Sequence, residues 1–358
     1  MTETIKNDSI EMEAYGLTEE YLHFVGEDGE RTIARITAEH RERYEVVCPR
    51  GTTHARLKRG NFADGDRMYP TVGDFVVLDD NPLGDSLILE TLPRRSHFSR
   101  REPGPGPLQE QAVAANFDYV CILTSLNQEF RLSRLERYLT VAWQSGAEPV
   151  IILTKADLVD EYGEAFQSVQ RLAVGVQIFA VSALSGVGMD ELRAYFKPGR
   201  TLVFLGSSGV GKSSLINALA GQDLMVVKEI REEDARGRHT TTHRQLLLLP
   251  GGLLAIDTPG MRELGMWAVE EGLESTFVDV EALIAECRFS DCQHGSEPGC
   301  AVRESIERGE LTPARLRRFL AMRRESLYAE NRTRALRERQ QRNKQIAQHV
   351  KASRARRK

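Results

Sequence analysis

The segment GSSGVGKSS at residues 206–214 constrains this chain more than any other feature. It fits the pattern GxxxxGK[ST], in which glycines let the backbone fold tightly enough to aim successive N–H groups at phosphate oxygens. The apolar run TLVFL precedes it and the helix-like stretch SLINALAG follows. A strand before and a helix after place a positive helix N-terminus at the same phosphates. The candidate phosphate-site residues are Gly206, Ser207, Ser208, Gly209, Val210, Gly211, Lys212, Ser213 and Ser214. Lys212 is placed to reach the β- and γ-phosphates, and Ser213 to bind Mg²⁺ through its hydroxyl. The bland alternative, a Gly/Ser turn that matches by chance, does not account for the flanking strand and helix.

Three further motifs end apolar runs. DTPG at 257–260 closes LLAID, so Asp257 can hold Mg²⁺ through water and the Gly260 N–H can sense a γ-phosphate. Between it and Lys212 lies GRHTTTHR, where one threonine of the run can complete the Mg²⁺ shell. Thr241 and Thr242 are the favoured candidates. TKAD at 154–157 ends the run PVIIL. Asp157 can accept two hydrogen bonds from the N1–H and 2-amino group of guanine, whereas adenine would leave its carboxylate unpaired. Lys155 would lie along the base plane, with Ala156 beside it. The familiar first residue here is Asn, and Thr154 weakens that support without touching the residue that selects the base. Finally, VQIFAV runs into Ser182 and Ala183, a pair suited to offering a backbone N–H to guanine O6.

The motif order is the second constraint. In an ordinary GTPase the phosphate loop comes first and the base-binding motifs last. Here the order is TKAD, Ser182-Ala183, phosphate loop, threonine run, DTPG. Strand ends of a parallel sheet converge whatever the chain order, so the same site can form from a circularly permuted chain.

The strand candidates alternate with helical stretches from residue 117 onward: 118–124, 149–154, 176–182, 201–206, 245–249 and 253–257. Almost wholly apolar strands of this kind predict a doubly wound parallel α/β sheet. A helix with a capping box is expected at Ser133 and Glu136. Before this region come five short strand candidates, 32–37, 44–48, 54–58, 74–78 and 87–92, separated by turn residues. They suit a small closed barrel of the OB-fold type, with an SH3-like barrel as the alternative. The stretch 93–110 (PRRSHFSRREPGPGPLQE) has the composition of a linker. After residue 266 the pattern is helical, and Thr312 and Pro313 are suited to capping and opening the last helix. The expected organisation is an extension at 1–30, the barrel at 31–100, an α/β domain at 110–268, a helical domain at 269–330 and a tail at 331–358.

Cys48 and Cys121 lie in apolar runs and read as small core residues. Cys287, Cys292, His294 and Cys300 form C-x4-C-x-H-x5-C, a donor set matching one closed, structural zinc site. Four protein ligands leave no open position for catalysis. No apolar run is long enough to span a bilayer, and the polar start lacks the features of a secretory signal. A cytoplasmic protein with no membrane partner is expected. The formal net charge of −4 hides an asymmetry: residues 311–358 carry sixteen Lys/Arg against three Asp/Glu. A basic tail on an acidic body points to a polyanionic partner.

On these residues the chain resembles the ribosome small subunit-dependent GTPase A family, also called RsgA or YjeQ. The permuted motif order, GRHTTT, DTPG and the C-x4-C-x-H-x5-C cluster carry the resemblance. It implies an N-terminal OB-fold, a central permuted GTPase and a zinc-bound C-terminal domain. It also implies GTP hydrolysis to GDP during late assembly of the small ribosomal subunit, stimulated by that subunit and its rRNA.

Many GTPases orient the attacking water with a glutamine just after DxxG, but Met261 stands there. In the family a histidine before the threonine run is implicated, which maps to His239. Basic residues in and near the barrel (Arg56, Lys58, Arg59, Arg94, Arg95, Arg100, Arg101) are candidates for rRNA phosphate contact. A monomer is expected. Two competing readings remain at this point: an RNA-binding scaffold with GTP as a slow structural ligand, and an ATPase acting on nucleic acid.

Overall fold

The computed structural model describes residues 10–24, 31–40, 43–58, 62, 68–101, 110–127, 130–225, 244–257, 269–329 and 331. The chain divides into two compact units, Met1–Ser99 with Ala112–Glu263, and Arg100–Gln111 with Leu264–Lys358.

The first unit begins with five strands, β1 (Arg31–Glu39), β2 (Tyr44–Cys48), β3 (Gly51–Leu57), β4 (Phe75–Asp79) and β5 (Ser86–Thr91). They run in the order β1-β2-β3-β5-β4, and β4 returns to pair with β1, closing the barrel. Only β3 and β5 pair in parallel. This closure is that of an OB-fold, as expected from the spacing. Ala34, Ile36, Val46, Ala55, Val76, Leu78 and Ile88 fill its interior. A second apolar patch of Ile33, Phe75, Val77 and Leu92 is covered by Tyr21, whose ring lies 4.7 Å from that of Phe75. Tyr21 comes from the second of two 3-10 turns, Met12–Tyr15 and Glu19–Phe24, so this part of the N-terminal segment is packed onto the barrel.

The stretch expected as a linker contains strand β6 (His97–Arg101), which pairs with β7 (Glu110–Ala115). Phe98 is buried against Phe117 at 4.7 Å between ring centres, which fixes one face of β6. The Pro- and Gly-rich residues 102–109 that suggested a linker lie outside the described residues.

Strands β8 (Tyr119–Ser125), β9 (Glu148–Thr154), β10 (Gln177–Ala180), β11 (Thr201–Gly206), β12 (Gln245–Leu248) and β13 (Leu254–Asp257) follow, in the order β10-β9-β8-β11-β13-β12. The first five in that order are parallel, and β12 is antiparallel to β13. Helices α1 (Leu132–Gln144), α2 (Gly163–Leu172), α3 (Met189–Tyr195) and α4 (Lys212–Ala220) connect them. One core includes Cys121, Val150, Ile152, Leu202, Phe204, Leu215 and Ile216. Helix α1 starts one residue before Ser133, its cap is Arg131, and no side chain caps it. The expected capping box is therefore not formed, because Ser133 already lies inside the first turn.

Strand β12 also pairs with β1 through Ala38 and Gln245, so barrel and α/β sheet are one eleven-stranded sheet. Beside this seam the Arg35 guanidinium is fully buried. Its Nε donates to the Gly73 carbonyl at 3.2 Å, and Nη2 donates to the Asn116 carbonyl at 2.7 Å and the Thr201 hydroxyl at 3.0 Å. Nη1 donates to the Tyr15 carbonyl. Burial lowers its pKa to about 10. Gly73 has φ +92°, and a Cβ there would lie 2.1 Å from the Ala115 carbonyl oxygen, so only glycine brings this carbonyl into place.

In the second unit, α5 (Glu270–Thr276), α6 (Val278–Ala285), α7 (Ala301–Glu307) and α8 (residues 313–329) surround Phe277 and Phe319, both fully buried with ring centres 5.4 Å apart. The Thr312 hydroxyl accepts from the Arg315 N–H at 3.3 Å, the cap expected from sequence. Arg315 holds Asp279 with two bonds of 2.6 and 2.7 Å and lies over the Phe277 ring. No helix among the described residues is long and apolar enough to cross a membrane.

Arg35→Met should leave its four acceptors without their donor, three of them on buried residues. We expect a loss of about 3 kcal/mol or more in unfolding free energy, measured by urea denaturation.

Candidate functional site

Because β8, β9, β10, β11 and β13 are parallel, their carboxyl ends share one edge of the sheet. From β8 the chain runs outward through β9 and β10, then returns to place β11 on the other side of β8. Such a reversal opens a crevice beyond the strand ends where ligands bind. The phosphate loop leaves β11 at this point.

Three of its glycines are required by geometry. A Cβ on Gly206 would lie 2.9 Å from Val210 Cγ1 and 3.1 Å from the Leu123 carbonyl oxygen. Gly209 and Gly211 have φ of +71° and +101°, in the region glycine favours. Ser207 is half-buried, Ser208 is exposed and Val210 is buried. Helix α4 begins at Lys212 with no side-chain cap, and Ser213 and Ser214 occupy its first turn. First-turn N–H groups have no partner within a helix. The Lys212 ammonium forms an ion pair with the Asp257 carboxylate at the end of β13. Lys212 and Asp257, expected from sequence to meet phosphate and Mg²⁺, are thus side by side.

Thr154 ends β9 and is buried. Its hydroxyl donates to the Val210 carbonyl at 2.6 Å, so the first residue of the base motif grips the phosphate loop directly. The threonine therefore keeps a supporting bond of the kind its departure from Asn put in question. Lys155 has φ +60°, turning the chain into the 3-10 turn Ala156–Leu158. The Ala156 N–H donates to the Val181 carbonyl at 3.1 Å, tying this turn to the one after β10. Asp157 is exposed and Lys155 half-buried.

The buried Ser182 hydroxyl accepts from the N–H groups of Leu184 and Ser185, at 3.2 and 3.1 Å. This folds the turn that carries Ala183. The turn closes at Gly188, where φ is +69° and a Cβ would lie 2.2 Å from the Ala180 carbonyl oxygen. Gly188 escaped the sequence reading, although the spacing S-A-x2-G-x-G was its signal.

The structure thus brings the phosphate loop, Thr154, Lys155, Ala156, Asp157, Ser182, Ala183 and Asp257 to one edge. His239, Thr241, Thr242 and Gly260 lie outside the described residues. Among the basic candidates, Arg94 is held by Asp74 with bonds of 2.8 and 2.7 Å, its side chain 10% exposed. Arg56 is paired with Asp85 at 2.6 Å. These two guanidiniums serve the barrel itself. Lys58 and Arg95 are exposed, Arg100 donates to Gln111, and Arg59 and the Arg101 side chain are outside the described residues.

In the second unit the ligand atoms of Cys287, Cys292, His294 and Cys300 all lie within 4.8 Å of one another. His294 Nδ1 is 3.7 Å from Cys287 Sγ and 3.6 Å from Cys300 Sγ, and the two sulfurs are 4.0 Å apart. Tetrahedral zinc with bonds of about 2.3 Å to sulfur and 2.0 Å to nitrogen requires separations of about 3.5–3.8 Å. The donor set and its spacing fit that ion. Burial lowers the His294 pKa, which favours the neutral ring a metal needs. Glu297, missed in the sequence, folds the loop by accepting from the Gln293 and Gly295 N–H groups at 3.0 and 2.8 Å.

A phosphate loop at the switch point of a parallel sheet, gripped by a base motif that precedes it in the chain, defines a circularly permuted GTPase. The chain belongs to the RsgA GTPase family, whose model matches residues 91–267, and it is a GTP-hydrolysing enzyme. A relative from Listeria innocua, named small ribosomal subunit biogenesis GTPase RsgA 1, is 50% identical over 298 residues, covering 83% of this chain and 84% of its own. A second, RsgA 2 from Lactiplantibacillus plantarum, is 42% identical, covering 89% of this chain and 90% of its own. The crystal structure of YjeQ from Thermotoga maritima superposes with a TM-score of 0.60 at 26% identity, over 83% of this chain and 99% of that one. YloQ, described as a circularly permuted GTPase, shares the fold with a TM-score of 0.56 at 22% identity, over 86% of this chain and 99% of that one.

Two outcomes test this geometry. Thr154→Val keeps the shape but removes the bond to Val210, and GTP affinity measured with a fluorescent analogue should fall about threefold to tenfold. Elemental analysis should find one zinc per chain, and Cys292→Ala should abolish it and unfold the second unit, with nucleotide binding retained.

Proposed function

We propose that this protein couples hydrolysis of GTP to GDP and phosphate to late assembly of the small ribosomal subunit, and that the subunit stimulates the reaction through its rRNA. The observation that supports the reading is the bond from Thr154 to Val210 together with the ion pair of Lys212 and Asp257, residues read here as base motif, phosphate loop and Mg²⁺ carboxylate. The names of the relatives supply the assembly context.

In this reading Lys212 and the loop N–H groups neutralise the β- and γ-phosphates. Ser213 and Asp257 hold the Mg²⁺ that arrives with GTP, joined by Thr241 or Thr242. Asp157 selects guanine, Lys155 lies along the base, and the Ala183 N–H meets O6. Gly260 senses the γ-phosphate. Met261 offers no polar group to orient water, so intrinsic turnover is slow and His239 supplies that function when the subunit is bound. The Cys287, Cys292, His294 and Cys300 zinc site is structural. The barrel and the basic tail from residue 331 meet rRNA phosphates, and the protein acts as a monomer in the cytoplasm.

GTP turnover with and without purified small subunits checks the reading. Subunits should raise turnover at least tenfold, and His239→Ala should remove most of that rise. No stimulation, together with an unaffected His239→Ala, would replace the switch with a scaffold that merely holds GTP. Asp157→Asn should cost about a hundredfold or more in GTP affinity and remove the preference for guanine over adenine nucleotides. An unchanged preference would place base recognition elsewhere.

A further inference from the structure

Strand β1 carries a bulge between Ile36 and Ala38. Past the bulge, Ala38 faces Glu45 of β2 on one side and Gln245 of β12 on the other. Gln245 in turn faces Asp257 of β13. Ala38, Gln245 and Asp257 therefore form one cross-strand row. It spans two strand spacings, about 10 Å, from the barrel to the carboxylate paired with Lys212.

Among the described residues the seam between β1 and β12 is narrow, with one register pair. Directly beside it, Arg244 Nη1 lies 3.4 Å from Glu39 Oε2, with side chains 14% and 31% exposed. Arg244 precedes the first residue of β12, and Glu39 ends β1. The pair thus bolts the two strands together at the row that leads to Asp257. Close-packed strands pass a lateral shift to their neighbours rather than absorb it. Elsewhere the barrel is joined to the sheet by Arg35, which meets β11 at Thr201, the strand's far end from the phosphate loop.

We propose that the Glu39–Arg244 pair is a positioning contact through which the occupant of the barrel and the nucleotide facing Asp257 bias one another. This rests on the reading above that the barrel meets the small subunit. Coupling of this kind is reciprocal: GTP tightens subunit binding by the same factor as the subunit tightens GTP. Neither side chain is among the residues assigned above to nucleotide, so free-protein affinity for GDP is not the quantity they set.

The test compares affinity for purified small subunits with a non-hydrolysable GTP analogue and with GDP, by co-sedimentation. The full chain should show a ratio within the usual range of about 5–150-fold. Glu39→Lys should reduce that ratio at least threefold with GDP affinity of the free protein retained. Adding Arg244→Glu to it should restore most of the ratio. If Glu39→Lys abolishes nucleotide binding altogether, Glu39→Gln, which removes charge and keeps shape, carries the same comparison. A wild-type ratio that persists in the single variant overturns the inference and leaves the proposed function standing. A charge swap that restores nothing also overturns it. A wild-type ratio of one overturns the inference as well, while the turnover comparison above decides the proposed function separately.

Discussion

One hydrogen bond, from the Thr154 hydroxyl to the Val210 carbonyl, joins two motifs that are 56 residues apart in the chain and lie on strands separated by β8. It makes the permuted order workable. A nucleotide must be held at base and phosphates at once, and misplacing either end by an ångström sacrifices much of the binding. Here the base motif is anchored in the phosphate loop, so the distance between the two is set by covalent geometry and one short contact. The ion pair from Lys212 to Asp257 then fixes the third corner.

Much of this was legible in the sequence because the relevant signals are local. The almost unbroken apolar runs gave β9 and β11 to within a residue, and the glycine spacing around Lys212 dictated the loop between β11 and α4. The barrel strands also lie near their expected positions. The failures share a different cause. Strand β6 looked like linker because its pairing partner β7 and the ring it packs on, Phe117, come later in the chain. Arg35 is not among the residues the sequence singles out, although an arginine inside the strand-like run RTIARIT was the available signal. Its acceptors, Tyr15, Gly73, Asn116 and Thr201, are scattered along the sequence and meet only after folding. The Ser133 capping box failed for a smaller reason, since the helix simply starts a residue earlier.

Charge is used in two opposed ways around the barrel. Arg35 is buried among neutral carbonyl and hydroxyl groups, which spread its charge over four dipoles. Arg94 is half-buried against a fully buried carboxylate, Asp74, whose own pKa burial raises. The second unit solves a harder problem, because α5, α6 and α7 have only seven or eight residues. Helices that short are not stable alone. The Phe277–Phe319 contact and the Arg315 fork on Asp279 supply cross-links that the helices lack, and a metal held by the Cys/His donor set would add another.

The shared sheet has a consequence for the independence of its parts. At its first residue, Gln245, the outer edge of β12 is covered by β1, which belongs to the barrel. An α/β fragment without residues before 110 would present that edge bare, with Leu246 and Leu248 alternating along it and unpaired backbone groups open to any passing strand. The barrel is therefore also the lid on a sticky margin, and losing it would turn a lone catalytic fragment towards self-association before any question of its chemistry arose.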